Sequence, residues 1–147
     1  MHKSDVIFGE QRLTIEDIVS LSKRERAAKL SDKPEFGKRI NAGWQFLERL
    51  LKEDGVIYGV TTGYGDSCTV TVPTALAYEL PVHLTRFHGC GLGSHFSAQE
   101  SLAIVAARLA SLAMGYSGVR MELLEQLTRL LNQGLSLIHI SEPTRPY

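Results

Sequence analysis

The chain has 147 residues, of which 44% are hydrophobic and 22% are charged, a composition typical of a globular domain. Sixteen Lys and Arg residues balance sixteen Asp and Glu residues, so no basic excess points to nucleic acid or to an anionic membrane. Neither a signal peptide at the N-terminus nor a long apolar run is visible, so we expect one cytoplasmic, soluble domain without a membrane span.

The first predicted elements are a short extended stretch and two helices. Residues 6–13 favour the extended stretch, and Thr14 predicts a helix start because its hydroxyl can accept from the first turn. A second helix is expected to begin near Asp32, with Pro34 in its first turn. Its apolar side chains recur at intervals of three or four residues and share one face: Phe36, Ile40, Trp44, Leu47 and Leu51.

The middle of the chain mixes a β-prone segment with glycine-rich loops. Residues 56–60 are apolar and favour a strand, which then enters a loop rich in Gly, Thr and Ser. Residues 74–88 predict a helix in which Pro81 marks either a bend or a boundary. Glycines 89, 91 and 93 then interrupt the helical pattern.

Two more helices complete the predicted fold. Ser97 and Glu100 form a capping-box pattern before a helix with apolar residues at Leu102, Val105, Leu109 and Leu112. Ser117 is expected to start the last helix, and Gly134 to end it. Its inward side chains are expected to be Leu123, Leu127, Leu130 and Leu131. We therefore predict a mainly α-helical bundle with short strands near the N-terminus.

Phosphate and metal sites are disfavoured by spacing. The glycine-rich loop at 58–67 contains no Lys, so it does not match a Walker loop, and Ser94 stands where a dinucleotide fingerprint needs glycine. His83 and His88 are five residues apart, which is not the helical pairing of a zinc site. Cys68 and Cys90 show no metal spacing, and we expect both to be buried, reduced thiols.

Three blocks of sequence follow one another along the chain, at residues 58–65, 79–93 and 115–134. The first, Tyr-Gly-Val-Thr-Thr-Gly-Tyr-Gly, is similar to the motif Tyr-Gly-(Val/Ile)-Asn-Thr-Gly-(Phe/Tyr)-Gly of the aromatic amino-acid ammonia-lyase family. Residues 79–93 resemble the next family block, and residues 115–134 resemble the third. The resemblance covers nearly all of residues 5–134 but only about the first quarter of a family member. It implies the N-terminal part of a lyase-like helical bundle.

The family eliminates ammonia from an L-amino acid to give an α,β-unsaturated acid, and the resemblance assigns four residues. Tyr58 matches the proposed catalytic base, for which positive charge or helix N-termini would have to stabilise the phenolate. Phe87 and His88 match the pair that recognises the substrate side chain, and Gly65 matches a glycine lining the pocket. Histidine, tyrosine and phenylalanine remain open as substrates. We expect Tyr58, Phe87 and His88 to converge on one concavity.

The resemblance also implies a cofactor and an assembly. Family members carry methylidene-imidazolone (MIO), made from an internal Ala-Ser-Gly, need no metal, and are homotetramers. Ala-Ser-Gly does not occur in these 147 residues. Residues 135–147 resemble a translated sequencing adapter, so we expect residues 1–134 to be a truncated lyase domain that is inactive alone. An aminomutase of the same family and a stand-alone, non-catalytic helical module are the alternatives.

Overall fold

A computed structural model describes residues 4–53, 55–88 and 93–135, and the side chains of Thr74, Phe87 and His88 lie outside this description. In chain order, its strands and α-helices are β1 (Val6–Phe8), α1 (Ile15–Ser22), β2 (Ala28–Leu30), α2 (Pro34–Lys52), α3 (Leu80–His88), α4 (Ala98–Leu112) and α5 (Met121–Gln133). Two short 3-10 helices, Gly65–Thr69 and Thr74–Leu76, precede α3. The predicted mainly helical fold with short strands near the N-terminus is confirmed.

The chain divides into two compact units, Gln45–Ser94 and the remainder of the chain. The remainder holds both strands together with α1, α4 and α5, and it contains an apolar core. Its buried members are Val6, Phe8, Leu21, Ala28, Phe36, Ile40, Leu102, Val105, Ala106, Leu109, Leu112, Ala113, Leu124 and Leu131. The predicted buried stripe of α4 is confirmed, because all four of its members belong to this core.

Local hydrogen bonds fix where α1 and α4 begin. Thr14 caps α1 in a capping box with Asp17, and Ser97 caps α4 in a capping box with Glu100. In each box a hydroxyl and a carboxylate bond backbone N–H groups that a helix start otherwise leaves unpaired. Both helix starts agree with the sequence prediction.

Asp17 also joins α1 to the segment before β2. Its carboxylate accepts from the Thr14 N–H at 3.0 Å, from the Thr14 hydroxyl at 3.0 Å, and from the Arg26 guanidinium. The Thr14 N–H holds the pKa of the Asp17 carboxyl below its ordinary value, and the Thr14 hydroxyl and Arg26 act in the same direction. Partial burial opposes this lowering of the pKa.

We predict that Asp17→Asn destabilises the fold by about 2 kcal/mol near pH 7, since a charge-assisted hydrogen bond is lost. The folded-state pKa lies below the unfolded value of about 3.9, so the stabilisation is present above that pH. It is lost as the pH falls through the lower, folded-state pKa. Urea unfolding at pH 7 and pH 3 should therefore show a difference between the two proteins that shrinks in acid. The exposed Asp32→Asn serves as the control, and a difference that does not change with pH would contradict this account.

The two strands pair in parallel, which the sequence analysis did not predict. Val6 pairs with Ala28 and Phe8 with Leu30. On β2, the side-chain amide of Asn132 donates to the Ala28 carbonyl at 2.9 Å, and its oxygen accepts from the Ala28 N–H at 2.8 Å. The end of α5 is thereby fixed to β2.

The start of α5 and one of its buried positions differ from prediction. The helix begins at Met121 rather than at Ser117, because Gly118 has a φ of +61°, which an α-helix does not accommodate. Leu123, predicted to face inward, is 43% exposed, whereas Leu124 is fully buried. Gly134 ends the helix in the left-handed conformation, as predicted.

The structure also shows where Pro81 and Cys68 lie. Pro81 lies in the first turn of α3, so it marks a boundary rather than a bend. The expectation of a buried Cys68 is wrong, because this thiol is exposed on the 3-10 helix Gly65–Thr69, which contains no buried residue. Cys90 and the tail from residue 136 lie outside the described residues. Within the described ranges, every helix is too short or too polar to cross a membrane.

Candidate functional site

Residues 55–65 carry the first motif, and they form a tight turn instead of the predicted strand. The backbone N–H groups of Val60 and Thr61 both donate to the Ile57 carbonyl, at 3.0 and 2.9 Å. Gly59 has a φ of +72°, a conformation that β-branched residues avoid. The expected strand at 56–60 is therefore wrong: side-chain and turn hydrogen bonds outweigh the β-propensity of the segment. Tyr58 lies within this turn.

The chain then returns alongside the turn. Thr62 forms an antiparallel bridge with Thr71. The Gly63 N–H donates to the Val70 carbonyl at 3.0 Å, and the Val72 N–H donates to the Thr61 carbonyl at 2.8 Å. These bonds close the loop onto itself, so the motif residues have a defined arrangement within their own unit.

Tyr58 is largely exposed, and its phenol oxygen accepts one hydrogen bond. Its side chain is 64% exposed, and the Gly65 N–H donates to its Oη at 2.9 Å. The Tyr64 ring packs edge-on against the Tyr58 ring, with 6.3 Å between centroids and an interplanar angle of 90°. A directed N–H stabilises negative charge on the oxygen that it contacts. The structure thus brings together Tyr58 and Gly65, two of the four predicted site residues.

Two glycines permit this arrangement for different reasons. A Cβ added to Gly59 would lie 2.7 Å from Cε1 of Tyr64, so the aromatic pair requires glycine there. Gly65 has a φ of +57° and open space within 4 Å of an added Cβ. At Gly65, therefore, the backbone conformation favours glycine, and the space beside it is free for a ligand.

Two threonines that the sequence analysis left without a role hold the turn from inside. Thr61 and Thr62 are 8% and 4% exposed. Thr61 Oγ1 accepts from the Ile57 N–H at 2.8 Å and donates to the Gly55 carbonyl at 3.0 Å. Thr62 Oγ1 accepts from the Gly59 N–H at 3.1 Å and donates to the Gly63 carbonyl at 3.0 Å. The Thr-Thr-Gly sequence could have indicated this turn, since threonine hydroxyls often form hydrogen bonds with nearby backbone groups in turns.

The other two predicted site residues, Phe87 and His88, end helix α3. Their side chains lie outside the described residues, so the convergence of Tyr58, Phe87 and His88 stays a prediction. His83, on the same helix, lies with its Nε2 3.7 Å from Glu79 Oε2, and both side chains are exposed. This pair is an exposed surface contact between residues four positions apart.

Two cavities lie in the other unit, and neither is lined by Tyr58 or Gly65. One of about 300 Å³ lies beside Arg24, Arg26 and Asn132. A larger groove of about 730 Å³ runs between Arg12, Arg39 and the small residues of α4. In the part of the chain that the structure describes, no group of three His, Cys, Asp or Glu side chains is placed to hold a metal ion.

The chain is similar in sequence to a family model and to two enzymes. Residues 13–138 match the family model for aromatic amino acid lyases. The chain is 36% identical over 121 residues to histidine ammonia-lyase from Homo sapiens, covering 82% of this chain and 18% of that protein. Against histidine ammonia-lyase from Streptococcus pyogenes serotype M3, the identity is 34% over 125 residues, with 85% and 24% covered.

A solved structure shows the same relationship in three dimensions. Tyrosine aminomutase from Streptomyces globisporus superposes with a TM-score of 0.80 at 34% identity, covering 88% of this chain and 24% of that one. The chain thus spans about a quarter or less of the length of these relatives. Since the family model covers most of the chain and includes the loop around Tyr58, the chain belongs to the aromatic amino acid lyase family.

Proposed function

We propose that this chain forms the N-terminal part of an active site that eliminates ammonia from an aromatic L-amino acid, with Tyr58 as the base. One observation carries the proposal: Tyr58 is 64% exposed, and its oxygen accepts a hydrogen bond from the Gly65 N–H. A base needs an oxygen that a substrate proton can reach and a fixed donor that stabilises its charged form. The exposure of Tyr58 and the Gly65 N–H that its oxygen accepts from support this assignment.

The proposed reaction breaks two bonds of the substrate. The β-carbon loses a proton to the Tyr58 phenolate, which becomes a phenol. The electron pair of the C–H bond forms the double bond between the α- and β-carbons, and the C–N bond breaks as ammonia leaves. Because the β-proton is weakly acidic, the position of the base relative to that carbon decides the rate.

Substrate recognition is proposed for three further residues. Gly65 leaves open space beside Tyr58, which suits a ligand close to the backbone. Phe87 would stack on an aromatic ring, and His88 would hydrogen-bond an imidazole or a phenol. Histidine, tyrosine and phenylalanine all satisfy these contacts, so the proposal names the class of aromatic amino acids. In the longer enzyme we propose a cytoplasmic homotetramer.

The electrophile of the family must come from residues outside this chain. Methylidene-imidazolone supplies an electrophilic carbon that activates the amino group for departure, and it forms from Ala-Ser-Gly. None of the 147 residues belongs to such a tripeptide. The described residues therefore do not provide the group, and the steps above rest on Tyr58 alone. We propose that residues 1–134 are part of a longer lyase and that residues 135–147 are not native to it.

An aminomutase is the second candidate, because the superposed structure is a tyrosine aminomutase. An aminomutase would use the same removal of the β-proton and would then return ammonia to the β-carbon. Product analysis separates the two reactions. Accumulation of a β-amino acid would favour the mutase, and accumulation of the unsaturated acid alone would favour the lyase.

We predict that the purified 147-residue chain gives no turnover of L-histidine, L-tyrosine or L-phenylalanine, since it lacks the precursor of the electrophile. Ultraviolet absorbance of the unsaturated acids measures this directly. Genomic sequence read past the Gly134 codon tests the proposed origin of the chain. Continuation into a segment with Ala-Ser-Gly would support the lyase or mutase, whereas a stop codon would support a stand-alone helical module. Turnover by the chain itself would contradict the proposed source of the electrophile.

A further inference from the structure

The backbone on both sides of Tyr58 is held by buried hydroxyl groups. Thr61 Oγ1 accepts from the N–H of Ile57, the residue before Tyr58, and Thr62 Oγ1 accepts from the N–H of Gly59, the residue after it. Each hydroxyl also donates to a backbone carbonyl, Gly55 for Thr61 and Gly63 for Thr62. Each hydroxyl thus uses its donor and one acceptor position on the backbone, and rotation of the Tyr58 backbone would break at least one of these bonds.

The Tyr58 side chain leaves this braced turn, and its oxygen accepts a hydrogen bond from the Gly65 N–H. Tyr58 is 64% exposed, its ring meets the edge of Tyr64, and its oxygen accepts from the Gly65 N–H. A side chain this exposed is held less firmly by packing than a core side chain. The position of the turn backbone therefore contributes to where the phenol oxygen lies.

We propose that Thr61 and Thr62 are positioning residues, whose hydroxyls hold the turn so that the Tyr58 oxygen meets the Gly65 N–H. The proposal rests on the proposed function, in which Tyr58 is the base. It makes a specific claim about chemistry: the hydroxyl of Thr61, not its methyl group, is required. A valine keeps nearly the same shape and removes the hydroxyl, whereas a serine keeps the hydroxyl and removes the methyl.

Amide resonances of the isotopically labelled 147-residue chain test this claim without any need for activity. Tyr58→Phe removes the acceptor of the Gly65 N–H, so its spectrum defines the Gly65 amide position when that hydrogen bond is absent. We expect Thr61→Val to move the Gly65 amide to this same position. Thr61→Ser should leave it where the unmodified chain has it. The matched control is Thr69→Val, at an exposed threonine of the same unit. This variant should leave the Gly65 amide resonance at its original position.

Two other amides distinguish positioning from a general structural role. Gly63 and Val72 donate in the hydrogen bonds that close the loop. In Thr61→Val, hydrogen exchange at Gly65 should accelerate about tenfold, as expected when one hydrogen bond is lost, while exchange at Gly63 and Val72 stays near its original rate. Equal acceleration at all three amides would show that Thr61 merely stabilises the loop, and the proposal would be wrong.

The remaining outcomes also decide the proposal. An unchanged Gly65 amide in Thr61→Val would overturn it. If Thr61→Val unfolds the loop altogether, Thr61→Ser decides: loss of the original Gly65 position in the serine variant would mean that the methyl group, rather than the hydroxyl, holds the turn. Failure of the proposed function is a separate result. It would appear as turnover that survives Tyr58→Phe in the longer enzyme, even where the Gly65 amide responds to Thr61 as expected.

Discussion

Replacement of Tyr58 by phenylalanine, in the polypeptide extended past Gly134, is expected to lower kcat/KM by about 10²–10⁴-fold, the usual contribution of a positioned acid or base. The variant keeps the ring and loses only the oxygen that accepts from Gly65. Because the side chain is 64% exposed, water can replace that acceptor, and the free energy of unfolding should fall by less than about 1 kcal/mol. A large kinetic effect with a small stability effect is the expected signature of a catalytic base.

Tyr64→Phe is the matched control for this variant. Tyr64 lies in the same loop and contacts the Tyr58 ring edge-on, but its hydroxyl has no assigned role. Its removal should leave turnover nearly unchanged. A comparable loss of activity in both variants would mean that the aromatic pair supports the loop and that neither phenol is the base.

The second large effect is expected in the core. Leu124→Ala should destabilise the unit that contains α5 by about 3 kcal/mol, because the side chain is fully buried and truncation leaves a cavity. Leu123→Ala, one residue earlier and 43% exposed, should cost less than about 1 kcal/mol. Urea unfolding of both variants measures the difference. A larger loss at Leu123 would mean that Leu123 is the buried residue, as predicted from the sequence, and equal losses would contradict the observed difference in burial between the two.

Features set by neighbouring residues could be predicted from the sequence. The capping boxes at Thr14 and Ser97 need only a hydroxyl and a carboxylate three residues apart, and both helices begin there. The buried stripe of α4 follows from helical periodicity alone. Gly134 ends α5 because a left-handed residue suits glycine.

Features that depend on distant partners could not be predicted in this way. Strand β2 pairs with β1, and its Ala28 donates to and accepts from the side-chain amide of Asn132, a residue more than a hundred positions away. The start of α5 depends on the left-handed backbone at Gly118, which the leucine pattern does not reveal.

The candidate site was predicted only in part. The motif resemblance identified Tyr58 and Gly65, which the structure joins by a hydrogen bond, but the resemblance did not reveal that bond. The apolar residues at 56–60 favoured a strand, and this prediction was wrong. β-Propensity does not take into account the hydroxyls of Thr61 and Thr62, which accept from the backbone N–H groups of this segment.

Turnover by the extended polypeptide is the most direct test of the central claim that this chain is part of an ammonia-eliminating active site. The polypeptide, continued through its Ala-Ser-Gly segment, would be incubated separately with L-histidine, L-tyrosine and L-phenylalanine while ultraviolet absorbance follows the unsaturated acids. We predict product from at least one substrate, and none after Tyr58→Phe beyond a small residual rate. Absence of product with all three substrates from a folded polypeptide, or full activity of the Tyr58→Phe variant, would contradict the claim.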